Sequence, residues 1–434
     1  MDIVFLLIGF FLLFKEKLAW VLFTIILLTT DYLGIGINIS EFPFIHNVSD
    51  AGLILYLALC FYILNKNKFK LLKTSLSNYI IIFYFFLLIS FFVDLLINNI
   101  DFVSIIKTSR HWIFLSCIWF FNYIPRIEIR KLINYLFGAT VIISIIMLFE
   151  FFTGIQILEQ NYSTLMAKSG ELFVRGSIPS IFVPFYLLLL LSNFFKFKFK
   201  FKFFYVIIFL AVLITSVIRS WFLAIVFGIF LIFVLQNKKQ FNNFFKGIIV
   251  VIGMFLLVFT NPIINERFVT GFEEIQNFSL TSNEIKGNYS FRILHARERL
   301  NYITSGFQHT IFGLGNISEE NFSEVFEIGL LEESGRITQL DTGDIAWSIF
   351  FIRLGLLGTI LYLFIFVRLL LNFYRIRKHN SLARVTFVYL LVNISIMSFA
   401  SSSMATGQFF LLPILLYFLC KKELIQLKVR NGRF

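Results

Sequence analysis

Charged residues are scarce in this chain. They make up 15% of 434 positions, whereas hydrophobic residues make up 58% and the mean hydropathy is +0.85. Soluble globular domains carry about a quarter charged residues, so this composition excludes that class. The apolar runs 80–97 and 346–371 are long enough to cross roughly 30 Å of hydrocarbon as helices. The sequence therefore predicts a polytopic membrane protein.

Strand patterning is also missing. The chain has no series of evenly spaced segments of about ten residues with alternating hydrophobicity, which argues against a closed β-barrel. We predict an all-α integral membrane protein with about 12 or 13 transmembrane helices. Met1–Phe14 is read as a retained first span, because no small-residue cleavage site follows it. The candidate spans are 3–14, 18–37, 50–65, 78–97, 104–124, 132–153, 179–195, 203–218, 221–236, 247–260, 346–371, 385–401 and 406–420.

Familiar site motifs are absent as well. The three cysteines, Cys60, Cys117 and Cys420, share no CxxC spacing and are expected in the core. No HExxH, Walker loop or GxSxG sequence occurs, and the five histidines are scattered. Among them only His295 lies near a group of arginines, and we expect it at the surface. The sequence thus predicts neither a metal nor a cofactor, and without an internal repeat it does not suggest an inverted-repeat transporter.

The charges that are present indicate an orientation. Basic connections fall on alternate loops of the predicted topology, so all of them can be cytoplasmic at once. The net charge of +13 then reflects orientation rather than nucleic-acid binding, and the Lys-Phe run 196–202 is a solvated patch facing anionic lipid. This parity places the polar stretch 261–345 outside. The basic connections are Lys15 and Lys17, 66–73, 126–131, 196–202, Lys238 and Lys239, 375–379 and the tail from Lys421.

Three regions follow from this pattern: a transmembrane bundle over 1–260, a large extracytoplasmic loop over 261–345, and transmembrane helices with a basic tail over 346–434. The loop is acidic on a basic protein, with 13 acidic and 6 basic residues. It is expected to carry short helices, one of them amphipathic over 281–300, and a tight turn over 312–316. A smaller exterior segment covers 154–178.

Arginines predicted at the outer face are the main chemical clue. Arg219 lies between two apolar segments, where an unpaired guanidinium is costly and needs an anion or a ring of acceptors. Arg175 comes from the smaller exterior segment, and Arg292 and Arg297 from the large loop. Several guanidinium groups at one face suit a diphosphate, because each forms two hydrogen bonds to phosphate oxygens. The alternative is that each arginine pairs with a local glutamate or a lipid phosphate.

Asp344 ends the large loop just before an apolar segment. Beside several arginines its carboxylate could take a proton from an attacking sugar hydroxyl, which is the work of a general base. It could equally cap the helix that follows by accepting hydrogen bonds from the first backbone N–H groups. The sequence leaves both roles open.

The order of these segments resembles that of the O-antigen polymerase and O-antigen ligase superfamily, which builds bacterial surface polysaccharides. The resemblance covers most of the chain in topology, but its motifs are short. Two departures occur: the Ser-Arg-Gly motif of the family is loosened here around Arg219, and the His-Asn pair typical of ligases is replaced by Asp344. The matching segments are Arg175-Gly176, 216–221, 290–300, 312–316 and 344–358, the last with Gly355 and Gly358.

The resemblance implies a glycosyltransferase that works without a metal at the outer face of the bacterial inner membrane. Its donor would be a polyprenyl-diphosphate-linked oligosaccharide, held by Arg175, Arg219, Arg292 and Arg297, with Arg219 and Asp344 as catalytic residues. The missing ligase histidine favours a polymerase that joins repeat units for O-antigen, capsule or exopolysaccharide. The implied partners are this lipid-linked substrate, the lipid bilayer, and flippase and chain-length regulator proteins, with no nucleic acid.

Three alternatives stay open. An O-antigen ligase would share the donor and the fold but use another acceptor. A flippase for lipid-linked oligosaccharides would also need cationic groups in the membrane, yet it should have short loops, two related halves and a charged central cavity. A membrane scaffold without chemistry is the least specific alternative and does not explain Arg219.

Overall fold

The architecture comes from a computed structural model. It describes residues 2–30, 48–68, 74–155, 162–166, 172–176, 182–192, 197–216, 218–235, 262–276, 287–317, 326–329 and 339–430, together with isolated residues between them. This part of the chain is helical, apart from one antiparallel ribbon formed by β1 (Tyr162–Met166) and β2 (Leu172–Gly176).

The helices follow the apolar runs of the sequence. In chain order they are α1 Asp2–Phe14, α2 Leu18–Thr30, α3 Val48–Lys66, α4 Ser77–Leu96, α5 Phe102–Ser109, α6 Cys117–Phe120, α7 Arg126–Thr153, α8 Phe182–Leu191, α9 Phe199–Thr215, α10 Arg219–Leu235, α11 Pro262–Gln276, α12 Asn288–Thr304, α13 Phe307–Phe312, α14 Ala346–Ile349, α15 Gly355–Ile376, α16 Ser381–Ser395 and α17 Leu411–Arg430. Short 3₁₀ turns and one π-helical turn, Phe350–Leu354, join some of them.

Five stretches of the described chain are long and apolar enough to span a membrane, which supports the prediction of a helical membrane protein. The predicted span 104–124 is not one continuous helix. Instead, α5 is followed by a 3₁₀ segment, Arg110–Ser116, before α6. This segment brings the Arg110 guanidinium to 2.6 Å from the Asp50 carboxylate, so a charged contact occupies the middle of an apolar run. The predicted span 247–260 lies outside the described residues, apart from Gly253.

Burial separates central helices from peripheral ones. Every residue from Phe182 to Leu190 in α8 is buried, as expected for a helix that is apolar on all sides and lies inside a bundle. In contrast, only six of the 20 residues of α4 are buried, and its outer face exposes large side chains such as Phe85 and Phe92. A contiguous exposed apolar face of this kind fits lipid rather than water. The three cysteines, Cys60, Cys117 and Cys420, are buried in the core as predicted.

Four of the predicted basic connections contact one another in the described chain. Lys66 contacts Glu16 at 2.9 Å, which joins the first two basic loops to each other. Arg130 contacts Glu423 at 2.6 Å, which joins the start of α7 to the tail helix α17. Lys422 also donates to the Ile124 carbonyl at 2.7 Å. We call this the basic end. These four connections therefore lie together, and their position relative to a membrane stays a prediction.

The opposite end holds the described helices of the large loop. The predicted turn over 312–316 is present, with Gly313 and Gly315 at φ of +70° and +69°. Leu314 N–H donates to the Ile352 carbonyl at 2.8 Å, and a Cβ on Gly313 would stand 2.3 Å from that same oxygen. Backbone therefore packs directly on backbone, which only glycine permits here. This contact packs the end of α13 against the π-helical turn that precedes α15.

Candidate functional site

Helix α12 supplies one face of the candidate site. It begins at Asn288 and ends at Thr304, seven residues later at its start than the predicted amphipathic helix. Arg292, His295 and Arg299 recur at spacings of three and four residues, so they lie along one side of the helix. His295 and Arg299 are fully buried on this side, while Arg297 projects from the other side and is exposed.

Arg219 is the first residue of α10 and reaches the site from the transmembrane bundle. Its side chain crosses α11 at Gly271, where an added Cβ would stand 2.0 Å from Nη1, so a residue with a side chain would block this path. Further along α11, Glu274 Oε2 lies 3.5 Å from Arg219 Nη2. A membrane helix and a loop helix thus meet through one guanidinium group.

A second ion pair lies beside the first. Arg292 Nη2 stands 3.9 Å from Asp344 Oδ1, a separation at which the charges attract without a good hydrogen bond. Burial lowers the pKa of Arg292; the Asp344 and Glu274 carboxylates oppose this shift, and the Arg219 charge adds to it. The four side chains therefore influence one another electrostatically. We call Arg219, Glu274, Arg292 and Asp344 the arginine cluster.

Hydrogen bonding in the arginine cluster is incomplete. Within the described chain, the buried Nε of Arg292 has no hydrogen-bond partner. A buried guanidinium N–H without a partner costs free energy unless a ligand or water meets it. One guanidinium N–H of the cluster is therefore available as a donor, and an anion is a suitable acceptor for it.

Asp344 is the exposed member of the cluster, with 60% of its side chain accessible. The alternative role as a helix cap is wrong, because α14 has Ile345 as its N-cap residue and no side-chain hydrogen bond at the cap. The segment before it is fixed instead by its backbone: Gly343 carbonyl accepts from Ser402 N–H at 2.9 Å. Asp344 is thus held at the surface, where its carboxylate faces Arg292 and solvent.

His295 corrects another expectation, since it is buried rather than at the surface. Its Nδ1 lies 3.1 Å from the hydroxyl oxygen of Ser348 in α14, and its Nε2 has no hydrogen-bond partner among the described residues. Burial, assisted by the nearby Arg299 charge, lowers the pKa of His295 to about 3. The ring is therefore neutral at physiological pH and ties α12 to the segment that carries Asp344.

Arg299 completes the buried side of α12 and is fully engaged. It donates to the backbone carbonyls of Gln339 and Leu340 at 2.6 and 3.2 Å, pairs with Glu298, and stacks 4.0 Å from the ring centroid of Phe326. Burial lowers the pKa of Arg299 to about 10, although the Glu298 carboxylate opposes that shift, so it keeps its charge. Its contacts fix the chain that leads to Asp344.

Sequence reasoning missed a second group of polar residues near the turn of Gly315. Asp341 Oδ2 accepts from Arg353 Nε at 2.7 Å, and the fully buried Asp94 accepts from the Asn316 side chain at 2.8 Å. Both Asp94 and Arg353 lie inside predicted spans. An ionisable residue within an apolar run is a functional signal by itself, and that signal could have found them.

The other two predicted binding residues are Arg175 and Arg297. Arg175 lies in β2 opposite Ser163, and its side chain is outside the described residues. Arg297 is on the other side of α12 from Arg292, so a role for either Arg175 or Arg297 in binding stays a prediction. The described residues contain no group of three or more histidine, cysteine or acidic side chains that could hold a metal ion.

Comparison with known proteins leaves the chain unassigned. No protein-family model matches it, and no curated protein matches it. A functional proposal therefore rests on the geometry of the arginine cluster and on the order of the sequence motifs.

Proposed function

We propose that this protein is a membrane glycosyltransferase that polymerises polyprenyl-diphosphate-linked oligosaccharide repeat units. The observation that supports the proposal most directly is the arginine cluster, in which Arg219 from a transmembrane helix and Arg292 from the large loop converge beside the exposed carboxylate of Asp344. A lipid diphosphate at the membrane surface presents its charge at this level while its chain stays among the apolar helices.

In this mechanism the two guanidinium groups bind the diphosphate of the donor. The acceptor hydroxyl oxygen attacks the anomeric carbon, the bond from that carbon to the diphosphate oxygen breaks, and the proton passes to Asp344. Polyprenyl diphosphate leaves with one more negative charge at its terminal oxygen. Preorganised cations stabilise that charge most strongly in the transition state, which is where they accelerate the reaction.

Glu274 balances the charge of the cluster when the site is empty. Its carboxylate lies 3.5 Å from Arg219 and contributes to the field at Arg292. An incoming diphosphate carries more negative charge than one carboxylate and can take over the Arg219 pairing. Glu274 therefore holds the guanidinium in place without competing strongly for it.

The proposal includes a membrane orientation. The basic end would face the cytoplasm of a bacterial inner membrane by the positive-inside rule, and the arginine cluster would face outward. Lipid-linked repeat units would then reach the cluster after a flippase has moved them across the membrane, and a chain-length regulator would act on the same face.

An O-antigen ligase is a second candidate, and His295 favours it. The sequence has no histidine at the end of the large loop, but the fold brings His295 from α12 to 3.1 Å from Ser348, just beyond Asp344. A histidine therefore lies near the reacting end of the loop after all. The two enzymes differ in acceptor: a polymerase extends a second lipid-linked unit, whereas a ligase moves the glycan to a different molecule.

The test is an elongation assay with purified protein in lipid and a polyprenyl-diphosphate repeat unit. Wild type is expected to give a ladder of products, whereas Arg219→Ala and Asp344→Ala are expected to lose it. Arg130→Ala is the matched control, since Arg130 forms its ion pair at the basic end. A ladder that persists in both cluster variants would contradict the proposal, and translocated but unextended substrate would favour a flippase.

A further inference from the structure

Two adjoining cavities take no part in the mechanism described above, and one of them is lined by Asn316, Asp341 and Arg353 of the second polar group. Their volumes are about 190 and 230 Å³, and His111 and Thr406 line both of them. They lie among α3, α5, the Arg110–Ser116 segment, the π-helical turn and the chain around Thr406. Each is below the roughly 300–1,000 Å³ of a pocket for a drug-sized ligand. We call them the paired cavities.

The charges that line the paired cavities are largely matched. Arg110 pairs with Asp50 at 2.6 Å in one cavity, and Arg353 pairs with Asp341 at 2.7 Å in the other. Each guanidinium already has its carboxylate, in contrast to the looser pairs at 3.5 and 3.9 Å in the arginine cluster. These matched pairs offer several hydrogen-bond donors and acceptors, and Lys107, which also lines the first cavity, adds a further donor. The hydroxyl groups of a polyhydroxylated ligand can bind to groups of both kinds.

His111 gives the cavities unused hydrogen-bonding capacity. Its Nε2 is buried and has no hydrogen-bond partner among the described residues. The His111 backbone is also fixed, because a Cβ on Gly407 would stand 2.1 Å from its carbonyl oxygen. The neighbouring Trp112 lines the second cavity with an aromatic ring. Polar groups set beside an aromatic surface match a sugar, which has hydroxyl edges and an apolar face.

The paired cavities are connected to the arginine cluster through one short segment. Asp341 lines the second cavity, and Asp344 is the exposed carboxylate of the cluster. Three residues of extended chain span at most about 11 Å, so the two sites lie within the reach of a short oligosaccharide. A glycan in the cavities can thus present a terminal hydroxyl to Asp344.

We propose that the paired cavities bind the sugar residues of the acceptor glycan. This inference rests on the proposed glycosyl transfer and adds a separate site for the acceptor, distinct from the diphosphate site of the donor. Recognition uses the two Arg–Asp pairs and His111 for hydroxyl groups and Trp112 for the apolar face of a ring. The diphosphate of the acceptor is not needed for this contact.

The experiment measures binding directly. The probe is the repeat-unit oligosaccharide of the elongation assay, released from its lipid diphosphate and labelled at the reducing end. It is titrated into purified full-length protein in lipid nanodiscs. The variants are His111→Phe, which keeps a ring but removes its nitrogens, and Thr406→Trp, which fills the shared wall. Thr304→Trp is the matched control, because Thr304 is exposed on α12 away from the cavities.

Wild type, Thr304→Trp and Arg219→Ala are expected to bind the probe with similar affinity. His111→Phe and Thr406→Trp should weaken binding at least tenfold while their unfolding midpoints stay near that of wild type. If Thr406→Trp fails to fold, Gln408→Ala replaces it, since Gln408 lines the first cavity. Absence of saturable binding to wild type, or unchanged binding by the cavity variants, overturns the inference. Binding lost in Arg219→Ala but kept in the cavity variants assigns the sugar to the arginine cluster and also overturns it.

The outcomes separate this inference from the proposed function. If wild type binds the lipid-free glycan through His111 but forms no ladder, glycosyl transfer fails and the glycan site stands. If a ladder forms while the cavity variants bind the probe normally, glycosyl transfer stands and the acceptor site is wrong.

Discussion

Arg292 and Arg299 lie two turns apart on the same side of α12, yet their surroundings differ. Arg299 is fully buried, and two backbone carbonyls, a glutamate and an aromatic ring surround its guanidinium. Arg292 is 28% exposed, its nearest carboxylate stands at 3.9 Å, and its Nε has no hydrogen-bond partner in the described chain. One arginine is satisfied by the fold, and the other keeps capacity for a ligand.

This difference separates arginines that stabilise the fold from arginines that can bind a ligand, even where both lie near the same face of a membrane protein. Removing a satisfied, buried cation leaves its partners unpaired, so such a residue acts mainly on stability. Removing a cation with unused donors changes the fold little and acts mainly on binding. The sequence spacing of Arg292 and Arg299 cannot separate the two roles, because both positions fall on the same helical face.

The largest expected effect is on stability, in Arg299→Ala. The substitution leaves the carbonyls of Gln339 and Leu340 and the carboxylate of Glu298 without their cation. Removing one partner from such a buried arrangement costs about 3–5 kcal/mol. An unfolding titration in mixed micelles measures this loss, with the exposed Arg297→Ala as the matched control. A loss of unfolding free energy equal to that of Arg297→Ala would show that Arg299 does not stabilise the fold.

The next effect is on activity, in Arg292→Ala. We expect transfer to fall by about 10² to 10³, the range seen when one donor to a developing oxyanion is removed. The unfolding midpoint should change much less than in Arg299→Ala. Initial rates of ladder formation at saturating substrate check the first expectation. A stability loss that matches Arg299→Ala would show that Arg292 is structural as well.

Gly313→Ala tests how the loop helices are seated. A Cβ at this position would stand 2.3 Å from the Ile352 carbonyl, and the backbone has a φ of +70°. Substitution of a glycine in such a conformation costs more than about 1 kcal/mol. The matched control is Gly138→Ala in α7, where no atom lies within 4 Å of an added Cβ and a helical alanine should be neutral or stabilising. Equal unfolding midpoints for the two variants would contradict the close backbone contact between Gly313 and Ile352.

His295 adds a pH dependence to the same side of α12. Its pKa is about 3 in the folded protein, against about 6.5 in the unfolded chain, so the unfolded state binds the proton more readily. The stability from this residue is complete above about pH 6.5 and falls as the pH drops from 6.5 towards 3. The slope is at most about 1.4 kcal/mol per pH unit. His295→Asn should flatten the change in unfolding midpoint between pH 7 and pH 5, and an unchanged slope would argue against a neutral buried ring.

The helical membrane class could be predicted from the sequence, because apolar runs in a membrane protein have few structural solutions. The described chain has five helices long enough to span, and the predicted number of 12 or 13 spans stays a prediction. The bounds of α4 and α10 differ from the predicted spans by one or two residues. The interruption in 104–124 was missed, since hydropathy alone does not show that Arg110 meets Asp50. The turn at Gly313 was predicted, but its backbone contact with Ile352 depends on how distant segments pack.

The candidate site was predicted less completely. The approach of Arg219 and Arg292 was expected from their placement at one face, whereas Glu274 was not singled out from the other acidic residues of the loop. The prediction that His295 lies at the surface was wrong, because the helix register of α12 buries it against Ser348. Pairings such as Arg353 with Asp341 depend on rotamers and tertiary packing, which hydrophobic periodicity does not encode.

The most direct test of the arginine cluster is the binding of a short-chain isoprenyl diphosphate to the protein in nanodiscs. Wild type, Arg292→Gln and Arg299→Lys would be titrated side by side, with folding checked for each. The account predicts saturable binding to wild type, at least tenfold weaker binding to Arg292→Gln, and near wild-type affinity for Arg299→Lys where that variant folds. Equal affinity in wild type and Arg292→Gln would contradict a diphosphate site at this cluster.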